Sequence, residues 1–172
     1  RSKIEGDRVL QDAGLAALQS EDPGFSLEAF LERGKLSLLK LNQAWVQGNM
    51  QPVRRLISDG VYVRFQTQLA LMRAQGVKNV MADVSVLSAE LLAAQADPHF
   101  DVLHLKLSAQ ARDLDVPVQM DADAAMKKAK GALLAPYEEV WSFLRKRGQK
   151  SKQGVPTMEG QCPNCGAELP VS

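Results

Sequence analysis

Residues 26–48 read SLEAFLERGKLSLLKLNQAWVQG, from Ser26 to Gly48. Leu27, Phe30, Leu31, Leu38, Leu41 and Trp45 recur at intervals that sum to whole turns of a 3.6-residue period. That spacing predicts one long helix with a single apolar stripe. Ser26 is placed to cap its start, Glu28 to complement the dipole in the first turn, and Gly48 to close the end in a left-handed conformation. Such a helix needs a broad apolar surface to lie on, and three later segments of alternating apolar and polar residues supply one. The fold class expected is α+β: N-terminal helices packed on a curved antiparallel sheet around an apolar hollow, suited to binding rather than catalysis.

A chain of 172 residues suffices for one domain with tails. Its 45% apolar and 24% charged content is that of an ordinary globular protein. With 21 basic and 20 acidic residues the net charge is +1, so no global field draws it to nucleic acid or membrane. The apolar runs are too short to span a bilayer, and no signal-peptide pattern opens the chain. Cys162 and Cys165 both lie near the end, unlike the scattered cysteines of a secreted disulfide scaffold, which favours a reducing compartment.

Taken in order, residues 1–22 form an arm. Val9, Leu10, Leu15 and Leu18 share a side of a short helix, with Gly6 and Gly14 as interruptions and Asp22-Pro23-Gly24 as its end. After the main helix, Asn49 caps a second short helix with Pro52 in its first turn and Val53, Leu56 and Ile57 on its buried side. Ser58 or Asp59 caps a third, on which Tyr62, Phe65, Leu69 and Met72 share a face until Gly76.

From Val80 the period becomes 2. Val84 and Val86 alternate with Asp83 and Ser85 in a strand reaching Leu92. Asp97-Pro98 makes a turn, and the next strand sets Leu103, Leu105, Leu107 and Ala109 against His104, Lys106, Ser108 and Gln110. An insertion at 115–135 holds a small helix, Ala124 to Lys130, behind the Asp121/Asp123 cap region. Tyr137 to Arg147 is the third strand. Trp141 and Phe143 lie on one face and Val140 and Leu144 on the other, which predicts a central position. Residues 148–161 have linker composition.

Three constellations carry residues suited to chemistry or binding. Cys162 and Cys165 have zinc-knuckle spacing, but a tetrahedral site needs four ligands, and His99 and His104 join only if the linker folds back. The expectation is half of a zinc ribbon at 162–172, empty with this ligand set and completed by zinc only in a longer protein, with no other cofactor. Glu139, on the face of Trp141, is the one candidate acid or base; a salt-bridged sheet carboxylate is the commoner case, and His104 is the usual solvated strand residue. Arg145, Lys146, Arg147, Lys150 and Lys152 make a basic run able to meet anionic headgroups. Read plainly it is a solvated strand end, and without interleaved aromatics it does not suit nucleic acid.

The order of several motifs resembles a known family. Asp22-Pro23-Gly24-Phe25, Gln43-Ala44-Trp45, the Gly48-Asn49 step, Gly76-Val77-Lys78-Asn79-Val80 and Glu139-Val140-Trp141-Ser142-Phe143-Leu144-Arg145 are similar to the Tim44-like domain over about residues 22–147. That is the C-terminal domain of the tether subunit of the mitochondrial inner-membrane import translocase, found also in bacterial proteins and a mitochondrial ribosomal protein. The resemblance implies a cone-shaped domain, residues 23–147, of the nuclear-transport-factor-two-like superfold, with a large apolar pocket. It also implies inner-membrane association, here on the cytoplasmic side of a bacterium, and a non-enzymatic role docking protein partners and lipid. The expected pocket lining is Trp45, Tyr62, Phe65, Leu69, Leu103, Leu105, Trp141 and Phe143. The rival reading is a small-molecule binder or enzyme on the same superfold, which requires an ionisable group such as Glu139 inside the pocket. In the family a last strand follows the third, whereas linker and half ribbon follow here. The sheet is therefore expected to end on an unpaired edge open to homodimerisation.

Overall fold

The structure is a computed structural model that describes residues 8–151, and side chains from residue 13 onward. It is α+β: helices come first, then a three-stranded antiparallel open sheet. Helix α1 spans Arg8–Glu21, α2 Leu27–Val46 and α3 Asp59–Ala74. Strand β1 is Val77–Ala96, β2 Phe100–Pro117 and β3 Leu134–Lys146, with the short helix α4, Ala122–Ala129, between β2 and β3. The strand order is β1-β2-β3.

The helix ends follow their sequence cues. Ala29 N–H donates to Ser26 Oγ at 3.2 Å, Val61 N–H to Ser58 Oγ at 3.3 Å, and Ala124 N–H to Asp121 Oδ1 at 2.9 Å. Each bond satisfies one donor that a first helical turn leaves unpaired. Gly48 (φ 67°) and Gly76 (φ 76°) close α2 and α3 in the left-handed region. The helix expected around Pro52 is shorter than its apolar spacing suggests: a single 3-10 turn, Gln51–Val53, that buries Val53.

β2 shows the expected alternation without a break, burying Asp101, Leu103, Leu105, Leu107, Ala109 and Ala111. β1 is less regular. Asp97 N–H donates to the Phe100 carbonyl and Val118 N–H to the Gly76 carbonyl. Between those two contacts β1 carries more residues than β2, so it must bulge. Asp83, at φ 51° in mid-strand, marks one such place, and its carboxylate takes Arg112 Nε at 2.8 Å across to β2. At the hairpin, Asp97 Oδ1 accepts from His99 N and Phe100 N, both at 2.6 Å. Those two bonds, His99 first, hold the Asp97 carboxyl below the ordinary aspartate range.

Two expectations are corrected. β3 is not central: it lies at the sheet edge, starts at Leu134 and includes Pro136, and leaves Val140 and Leu144 exposed at 47% and 63%. Large apolar residues on both faces imitate a strand covered on both faces, but here the outer set faces solvent. Nor does Gly14 interrupt a helix, because α1 runs through it.

The described chain forms two compact units. One holds residues 8–35, 88–107 and 138–151; the other holds 36–87 and 108–137. The first packs Leu18, Phe25, Leu91, Ala94, Leu103 and Leu105, flanked by Phe30 and Phe143, whose rings meet edge-on at 5.3 Å. Gly34 of α2 has a place in it. A Cβ there would lie 2.8 Å from Leu105 Cδ1, so its absence lets the helix seat on the sheet despite the roughly 1 kcal/mol that glycine costs in a helix. The second unit packs Val80, Ala82 and Val116 against Ala125 and Ala129 of α4, with Met120 and Met126 at the margin.

Candidate functional site

In the first unit, β2 and β3 run antiparallel in a register shown by Arg147 N–H donating to the His99 carbonyl at 2.8 Å. That register sets Arg145 opposite Asp101 on the inner face and Ser142 opposite His104 on the outer, where His104 Nδ1 and Ser142 Oγ are 2.8 Å apart. Arg145 is therefore not the solvated strand end expected from the basic run. Its side chain is 9% exposed and bridges two carboxylates: Nη1 to Asp22 Oδ2 at 2.6 Å and Nη2 to Asp101 Oδ2 at 2.9 Å, with side-chain exposures of 2% and 4%. Ser151 adds its backbone N–H (3.0 Å) and hydroxyl (2.7 Å) to Asp22 Oδ2. Burial pushes the Asp22 carboxyl up, but the Ser151 and Arg145 hydrogen bonds together outweigh it and hold the group below its ordinary value.

The rest of the basic run is also partly committed. Arg147 pairs with Glu21 at 2.7 Å and reaches the Asp97 carbonyl, and Lys150 donates to the Glu21 carbonyl. Asp101 Oδ1 is buried with no protein partner among the described residues. Asp101 also lines a cleft of about 50 Å3 between α1 and the hairpin, with Gly14, Leu18, Glu21 and Ala94. That volume admits water-sized molecules rather than an acyl chain. The cluster ties the end of α1, the start of β2 and the end of β3 together.

A pH dependence follows. A carboxyl whose folded-state pKa is depressed contributes stability that is complete above its unfolded value, near pH 4, and is lost as pH falls through the folded value. The stability gap between the natural chain and Asp22→Asn is therefore expected to narrow between about pH 5 and pH 2. Urea titrations across that range measure it, and a constant gap would count against the assignment.

The aromatic candidates fall into both units. In the second, Trp45 and Phe65 meet edge-on with ring centres 5.9 Å apart, and Trp45 Nε1 donates to Asn79 Oδ1 at 2.9 Å. Asn79 in turn donates to Asp113 and Asp115 at 2.5 and 2.9 Å. Tyr62 is half-buried, with the Arg54 guanidinium 4.7 Å from its ring centre and its hydroxyl donating to Gln51 Oε1 at 2.9 Å. Leu69 is buried. In the first unit Leu103 and Leu105 are core residues, while Trp141 and Phe143 are half-buried with ring centres 6.1 Å apart.

Glu139, the one candidate base, is exposed and accepts from Trp141 Nε1 at 2.6 Å. Sequence reasoning missed the Arg145 cluster, because neither Asp22 nor Asp101 stands near Arg145 in the chain. One cue existed: Asp101 shares the parity of Leu103 and Leu105, and Arg145 that of Trp141 and Phe143. Cys162, Cys165 and the linker beyond residue 151 lie outside the described residues, as do residues 1–7.

Among the described residues no cluster of His, Cys, Asp or Glu has metal-site geometry, and no helix is long and apolar enough to cross a membrane. Exposed apolar side chains stand instead on α2 (Leu36, Leu39) and α3 (Val63, Leu71). No curated protein matches the chain at a meaningful level. The family description that does match is "Tim44-like domain", over residues 11–154. With helices leading into an antiparallel sheet and a match across most of its length, the chain belongs to the Tim44-like domain family, a generally non-enzymatic family of membrane-associated tethers and adaptors.

Proposed function

We propose that this domain is a non-catalytic adaptor, a bacterial relative of the inner-membrane import tether, that docks at the cytoplasmic face of the inner membrane and holds lipid or an apolar segment of a protein partner. The observation that carries this reading is a set of large apolar side chains left exposed on the helices of the second unit: Leu36 and Leu39 on α2 and Val63 and Leu71 on α3. Isolated exposed leucines are commonplace, but two helices presenting such residues in one unit suit an interaction surface. The rival enzyme reading needed a buried acid, and the residue it named, Glu139, is exposed. Cys162 and Cys165 would supply two thiolates of a zinc ribbon whose other ligands lie elsewhere.

Vesicle flotation tests the proposal. The chain is expected to float with phosphatidylglycerol-containing vesicles, and Val63→Ser/Leu71→Ser is expected to reduce the floating fraction about tenfold, since each side chain withdraws apolar area from water on docking. Failure to float with any vesicle composition would overturn the membrane assignment.

A further inference from the structure

β3 is a sheet edge whose backbone directions follow from one contact. Arg147 N–H points to His99 on β2. In an antiparallel strand the N–H and C=O of one residue point the same way, and successive residues alternate. Odd-numbered residues of β3 therefore bond toward β2, while Glu138, Val140, Ser142, Leu144 and Lys146 turn their backbone groups to the outer edge. No other strand lies on that edge among the described residues. The side chains of the same five residues lie on the outer face, all of them exposed. Pro136, which has no N–H, belongs to this even-numbered set, so its missing donor falls on the outer edge, where proline is tolerated.

The five residues read, in order, acidic, apolar, small polar, apolar, basic. We propose that two copies of this chain pair antiparallel along β3 about a two-fold axis at Ser142. Glu138 of one copy then stands opposite Lys146 of the other, Val140 opposite Leu144, and Ser142 opposite itself. On the inner face Trp141 comes opposite Phe143. Arg145 contributes nothing, being committed to Asp22 and Asp101.

The register is selected by its neighbours. With the axis at Trp141, Glu138 meets Leu144 and Lys146 meets Pro136. With the axis at Phe143, Lys146 meets Val140 and Glu138 meets Gly148. Only the Ser142 axis matches charge with charge and apolar with apolar, and it leaves Pro136 opposite Gly148, beyond the paired stretch. A two-fold contact of this kind is self-complementary and closes on itself, so it makes a dimer and leaves no β3 edge exposed. It goes beyond the adaptor reading and stands whether or not vesicles bind.

Sedimentation equilibrium on the full chain over a range of concentrations tests it. A monomer–dimer equilibrium is expected. Glu138→Lys alone and Lys146→Glu alone each place like charges opposite one another at two symmetric positions, and each is expected to weaken the dimer about tenfold. The double variant Glu138→Lys/Lys146→Glu restores opposite charges and is expected to recover the natural association, which loss of folding in either single variant would not produce. A monomer at every concentration, single variants without effect, or a double variant no better than the singles would each overturn the proposal.

Discussion

Arg145→Met is expected to lower stability by about 3–5 kcal/mol, because it leaves Asp22 and Asp101 buried without their cation. For a chain of this size that corresponds to a melting temperature lower by roughly 10 °C or more. The magnitude reflects desolvation more than attraction. A paired buried carboxylate roughly breaks even against water, whereas an unpaired one keeps the full cost of leaving it. Arg145→Lys is expected to recover only part of the loss, since an ammonium cannot present separate fork donors to two carboxylates. Adding Asp22→Asn and Asp101→Asn to Arg145→Met should restore more stability than the lysine does, as the uncompensated charges are then gone. Thermal and urea unfolding followed by circular dichroism measures all three. A loss under about 1 kcal/mol for Arg145→Met would mean that the cluster is hydrated and contributes as a surface pair does.

The second large effect is expected at Gly14. Alanine is about 1 kcal/mol better than glycine inside a helix, and on an exposed surface Gly14→Ala would stabilise α1. Here the added Cβ would lie far inside contact distance of the Ala94 carbonyl oxygen, with the Ala94 carbonyl carbon at 2.8 Å. The obstacle is β1 backbone, which cannot turn aside as a flexible side chain can. The helix must therefore lift from the sheet and loosen the packing of Leu18 against Ala94 and Leu103. Overpacking of this kind costs about 1–3 kcal/mol or more and outweighs the propensity gain. A net destabilisation of about 2 kcal/mol is expected, with amide exchange in α1 accelerated beyond that in α3. Unchanged or higher stability would show that α1 does not seat on β1 through Gly14.

Much of the chain was readable from local chemistry. The caps at Ser26, Ser58 and Asp121 act within three residues, the glycine stops at 48 and 76 depend on a single φ, and the β2 alternation from Leu103 to Ala109 expresses a two-residue period. The Asp97 turn is equally local. These features need no knowledge of what packs against them. The family motifs run through the same stretches, which is why the class of the fold could be read from them.

Strand order, the role of Gly14 and the burial of Arg145 were not readable in this way, because each depends on residues far apart in the chain. Val140 and Leu144 have the same side chains whether a strand is central or at an edge, and only the position of β1 on the far side of β2 makes β3 the edge. Gly14 looks like a helix breaker until the Ala94 carbonyl stands beside it. Arg145 sits in a run of basic residues that reads as solvated, and it is buried because two carboxylates, at positions 22 and 101, converge on its face of the sheet. Intrinsic preferences act over a few residues and are written in the local sequence; desolvation and steric contact are set by whichever distant groups arrive, and those are known only once the chain has folded.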